Sequence, residues 1–138
     1  MASKFSILMN AIVRNYGTLH MFKDDEFTFI KLENNNLVFN IRTEKKSLTN
    51  NIFRENFDAD YISTTFEFVN VTKFSFNNEL KIPTDKELHA LMDAVIKRFT
   101  IEPTYYRFIV KTTMLWGDCE QFSFECDDIN METAYVSY

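Results

Sequence analysis

Two hydrophobic rhythms run along this chain, one returning every three to four residues and one every second residue. Each predicts a different element. The clearest helical stretch covers 84–99, where Leu88, Leu91, Met92, Val95, Ile96 and Phe99 form one apolar stripe. Thr84 and Glu87 precede it at the spacing of a capping box, in which each side chain satisfies the other's otherwise unpaired backbone N–H. Pro83 stands before the cap, and Lys97 and Arg98 fall where the last turn favours positive charge. Residues 3–16 repeat the stripe with Phe5, Leu8, Met9, Ile12, Val13 and Tyr16, and Gly17 follows where a left-handed residue ends a helix. The two stripes superimpose at an offset of 83 residues, which raises a weak α-β-β duplication over 3–43 and 84–126.

The shorter rhythm predicts strands after each helix. Residues 26–32 and 37–43 flank Asn34, Asn35 and Asn36, a turn built from the residue that best tolerates positive φ after glycine. Over 61–71, Ile62, Thr64, Phe66 and Phe68 take one face and Ser63, Thr65 and Glu67 the other, with Phe74 and Phe76 extending the strand after a bend. Tyr106, Phe108, Val110, Met114 and Trp116 are expected on one face of a long strand, with Arg107 and Lys111 opposite. Gly117 and Asp118 turn that strand back into 119–126, where Phe122 and Phe124 face inward, and 133–138 adds a last strand. Residues 47–60 mix helically spaced Phe53 and Phe57 with three asparagines and give no clear element.

Strands joined by short turns imply an antiparallel sheet, and a sheet with one polar face needs helices on its other face only. The expectation is a single α+β domain over 1–138, two helices packed on one face of a mainly antiparallel sheet of about five to six strands.

Composition changes this picture little but narrows the chemistry. Fifteen phenylalanines stand against two glycines, two cysteines and two histidines. Abundant Phe, Asn and Lys is also what an AT-rich genome encodes, so the aromatic count is not by itself a functional signal. No stretch approaches the ~20 apolar residues of a membrane span. Residues 5–16 carry Asn10, Arg14 and Asn15 and do not read as a signal peptide, so a cytoplasmic location is expected, with Cys119 and Cys126 as reduced thiols.

Catalytic and metal-binding patterns are thin. Asp85, His89 and Asp93 stack at i, i+4 and i+8, but they flank the apolar stripe and face water, and His20 has no evident companion. Neither a metal nor any other cofactor is expected. Cys119 lies between Asp118 and Glu120, and Cys126 beside Glu125, Asp127 and Asp128; neighbouring negative charge disfavours the thiolate a nucleophile needs. Glycine-rich phosphate loops and serine elbows do not occur, and adjacent carboxylates such as Asp24 and Asp25 do not normally converge on one substrate atom. No enzymatic activity is expected.

Charge separates along the chain. Net charge is −5; all fifteen basic residues lie before position 112, and the six acidic ones after it have no basic neighbour in sequence. Such a C-terminal stretch repels phosphates and attracts a basic surface, which disfavours direct nucleic-acid binding. The leading expectation is a small acidic module that docks on a basic protein partner through Trp116, Asp118, Glu120, Glu125, Asp127, Asp128, Tyr135 and Tyr138. Size and charge are those of immunity proteins and of inhibitors carried by viruses and other mobile elements, including inhibitors of enzymes that handle nucleic acid; the analogy goes no further. A homodimer formed edge to edge through 133–138 is the other binding outcome. The alternative is a small-ligand or nucleotide-binding module in which Tyr105, Arg107 and Lys111 hold a ring and an anion.

Overall fold

The computed structural model describes residues 25–44, 60–115 and 119–137, and in these the chain is mainly β. Nine strands form two antiparallel sheets: β1 (Glu26–Glu33), β2 (Asn36–Glu44), β3 (Tyr61–Val69), β4 (Thr72–Phe76), β5 (Glu79–Leu80), β6 (Ile96–Pro103), β7 (Phe108–Met114), β8 (Gln121–Cys126) and β9 (Asp128–Val136). One sheet has the order β1-β2-β3-β9 and the other β5-β4-β8-β7-β6. Among the described residues a single short helix, α1 (Asp85–Ala90), runs into a 3-10 turn at Leu91–Asp93.

Period-two alternation builds the inner faces. In β3, Ile62, Thr64, Phe66 and Phe68 are buried while the residues between them are half-exposed. Phe39 of β2 meets Phe66 and Phe68 beside it and Phe99 of the opposite sheet, the last edge-on at 5.8 Å. Phe68 meets Phe124 across the sandwich at 4.9 Å, again near-perpendicular. Such pairs contribute about 0.5–1.5 kcal/mol each beyond the burial of their area. The phenylalanines therefore hold one sheet against the other.

Two strands change sheet. β3 continues into β4 across Asn70 and Val71, and β8 continues into β9 across Asp127, so the ladder β3·β9 becomes the ladder β4·β8 at a shared bend. Across the bend, Asp127 N donates to Val69 O and Val71 N to Asn35 O. The sheets meet a second time where Glu26 bridges Val95 and Ile96 N donates to Asp25 O at 2.9 Å. Nearby, the Thr43 hydroxyl donates to the buried Asp25 carboxylate at 2.6 Å. Leu88 of α1 and Leu91 of the turn join the same core, against β1.

This architecture overturns the expectation of two helices on one face of a single sheet. Of the predicted helix over 84–99, only the first part is helical: the Thr84–Glu87 capping box is present, but Ala94 is already extended and residues from Ile96 form β6. Lys97 and Arg98 lie exposed in that strand, not in a last helical turn. A bulge explains the misreading. The β6·β7 register shifts between Ile96 and Arg98, and the extra residue puts Ile96 and Phe99, three apart, on the same buried face. A bulged strand thus imitates helical spacing. The other predicted helix, 3–16 with Gly17, and the segment 47–59 lie outside the described residues. So does the first half-helix of the suggested duplication.

Most other strands fall close to where alternation puts them, but β9 begins at Asp128, five residues before the expected 133–138, whose last residue lies outside the described residues. Tyr106 is a correction: it is 79% exposed in the β6–β7 turn and does not share the inward face of Phe108, Val110 and Met114. β5 and β6 were absent from the predicted set.

Candidate functional site at the bend between the sheets

The bend is held by a polar cluster centred on Arg107. Asn70 adopts φ 55°, a left-handed conformation that asparagine tolerates, and its N–H donates to Asn36 Oδ1 at 3.0 Å. The Asn70 side-chain amide donates to Asp127 Oδ2 at 2.5 Å. Arg107 Nη2 donates to the carbonyl of Asn70 at 2.9 Å, while Nη1 lies 3.5 Å from Asp127 Oδ1 and Nε 3.9 Å from Glu125 Oε1. Lys73 Nζ is 3.3 Å from the other oxygen of Glu125. Two cations thus face two carboxylates, and the bend carries little net charge.

Arg107 also ends the turn that presents Tyr105 and Tyr106. Thr104 N donates to Arg107 O at 2.6 Å, and Arg107 N donates back to Thr104 Oγ1 at 3.0 Å, closing the turn on itself. At its tip Tyr105 is 98% exposed and Tyr106 79%, their rings edge to face at 5.6 Å. Two large aromatic groups are therefore displayed on a turn tied by a guanidinium to the bend.

On the β4 side of Asn70 lies a cleft of about 440 Å³. Leu32, Val71, Phe74, Leu80, Ile82 and Pro83 supply its apolar lining, with Leu80 70% and Ile82 81% exposed. Its charged lining consists of Lys73 and Lys81. Lys81 is engaged by Glu87 at 2.5 Å and Glu79 at 3.8 Å, and the hydrogen bond it donates to Glu87 raises its pKa. Glu87 is in turn held down to about 2, by Lys81 first and by the Thr84 backbone next.

The predicted docking set is only partly gathered here. Glu125 and Asp127 belong to the Arg107 cluster, so their charge is already answered within the chain. Asp128 accepts from the N–H of Ile129, and Glu120 is exposed, its N–H donating to Asn77 Oδ1. Tyr135 stands opposite Ile62 in the register of β9, an edge strand whose other side meets no strand among the described residues. Trp116, Asp118 and Tyr138 lie outside the described residues. Of the alternative trio, Tyr105 lies at the tip of the turn, Lys111 is exposed on β7, and Arg107 is occupied by Asn70, Glu125 and Asp127. Sequence reasoning missed the cleft. Its signal was the run Leu80-Lys81-Ile82-Pro83, apolar residues too few for an element and not needed by one.

Asp85 and His89 lie on α1 and Asp93 on the following turn, all exposed, and among the described residues no three His, Cys, Asp or Glu side chains gather as metal ligands would. Cys119 and Cys126 are free and buried, their thiols pushed up to about 11 and about 12 by burial first, with acidic neighbours adding to it. None of the described helices is long and apolar enough to cross a membrane. Comparison with protein-family models, with curated proteins and with solved structures finds no match.

Proposed function

We propose that this chain is a non-catalytic binding module that docks on a protein partner through the Tyr105–Tyr106 turn. The supporting observation is the near-complete exposure of two tyrosines on a turn closed by three hydrogen bonds between Thr104 and Arg107. Exposed aromatics cost solubility, and tyrosine is enriched among residues that dominate interface energies. A turn fixed beforehand loses little freedom on binding, so more of the contact energy remains as affinity. Glu102 lies exposed on β6 where it leads into the turn, which favours a partner surface carrying Arg or Lys, groups that also stack on tyrosine rings. This moves the docking surface from the acidic residues as a set to the turn beside them.

The double variant Y105S/Y106S tests the reading. Because both rings are exposed, its melting temperature should match the wild type, while a protein retained by the wild-type chain from a lysate should be lost and should rebind only wild type once purified. An identical retained set for both chains would remove the turn from the interface.

A further inference from the structure

We infer that the cleft between β4 and the Leu80–Pro83 segment binds a small amphipathic carboxylate, its apolar body among the cleft's aliphatic side chains and its anionic head on Lys73. The cleft has a size typical of small-ligand sites, and its lining joins an apolar floor to a few polar groups, the composition such sites share. Phe74 and Pro83 are buried at the floor, whereas Leu80 and Ile82 stand in solvent above it and, among the described residues, join no part of the hydrophobic core. An apolar occupant would cover both.

Charge selects the head group. Both ionisable residues lining the cleft are lysines, in a chain whose net charge is −5. They differ in availability. Lys81 is held by Glu87 and Glu79, whereas Lys73 has, among the described residues, Glu125 alone, at 3.3 Å, and its side chain is 68% exposed. Glu125 also faces Arg107, so Lys73 can turn to a ligand carboxylate without leaving Glu125 alone.

Backbone geometry disfavours a peptide as the occupant. β5 pairs β4 only at Ser75–Leu80 and Phe76–Glu79, after which Lys81 N reaches Phe74 O and the chain departs, leaving the start of β4 beside the cleft. An extended peptide would continue that ladder, but Lys73 has φ 53° and the β4·β8 register shifts between Thr72 and Ser75. The bulge breaks the row of edge groups that an added strand needs. Alternation fails there too, since Thr72 and Lys73 are both exposed.

Sodium decanoate, titrated calorimetrically below its micelle concentration, is the probe. Saturable one-to-one binding is expected, weakened about tenfold or more in K73M and for the neutral analogue decanol, since a charge-assisted contact is lost in both. L80D/I82D, altered only at exposed positions, should abolish it, and Y105S/Y106S should leave it unchanged, separating this site from the docking turn. Equal affinity for decanoate and decanol, undiminished binding by K73M or L80D/I82D, or no saturable binding of decanoate would overturn the assignment.

Discussion

Among the described residues six non-glycine positions have a left-handed backbone: Asn34, Asn35, Asn70, Lys73, Asn77 and Asn78. In a chain with two glycines, asparagine fills the places that tight turns reserve for residues tolerant of positive φ. Consecutive left-handed residues at Asn34-Asn35 and again at Asn77-Asn78 give two-residue turns whose twist matches the strands they join. The first pair was readable because long alternating strands flank it. The second carries the same signal, but β5 is two residues long and shows no alternation of its own. Thr64 and Thr112 raise a different residue-scale question. Their hydroxyls are buried in the core and, among the described residues, have no hydrogen-bond partner. Alternation alone places both side chains inward, where a methyl would serve better. T64V and T112V should each stabilise the fold by about 1 kcal/mol, because an unsatisfied buried hydroxyl costs its desolvation without return. Urea unfolding gives the check, and a loss of stability in both variants would mean that the hydroxyls have partners.

At the scale of elements, the stretch from Thr84 to Phe99 shows how much a local pattern can carry. Its cap was legible because capping is a property of four adjacent residues: Thr84 Oγ1 accepts from Glu87 N at 3.2 Å and Thr84 N donates to Glu87 Oε1 at 3.0 Å. Where the helix stops was not legible. Val95 and Ile96 are β-branched and suit a strand, yet the bulge after Ile96 preserves the three-residue spacing of a helix, and only pairing with β7 decides between them. The Lys81–Glu87 contact, with the cap's hydrogen bonds second to it, has a consequence for pH. Glu87 ionises at about 2 in the fold instead of its ordinary 4.5, so its contribution is complete above 4.5 and lost as pH falls towards 2. E87Q should therefore show a shallower fall in melting temperature than wild type between those two values, and parallel curves would detach Glu87 from the effect. At the bend, no local pattern announces Arg107. Its partners Asn70, Glu125 and Asp127 come from two other strand junctions, and only the topology brings them together.

For the whole molecule, the apolar inventory was legible and its arrangement was not. Buried phenylalanines were expected to press a sheet against helices, whereas Phe39, Phe68, Phe99 and Phe124 join two sheets. Inward alternation is the same in either case, so one strand's pattern cannot say what covers it. The core also encloses both cysteines, at 1% and 0% exposure. With their thiols pushed up to about 11 and about 12, neither should react with a disulfide reagent at pH 8 in the native protein, and both should do so at once in urea. Rapid native labelling of either would show that the sandwich opens there. The bent ribbon finally bears on how the chain is made. β3 hydrogen-bonds along its full length to β9, which enters the sequence some sixty residues later. A ribosome adding about 5–20 residues per second leaves that edge bare for several seconds after β2, the partner of the other edge, has been made. During translation β3 waits for β9, and the interval is when a chaperone would find it.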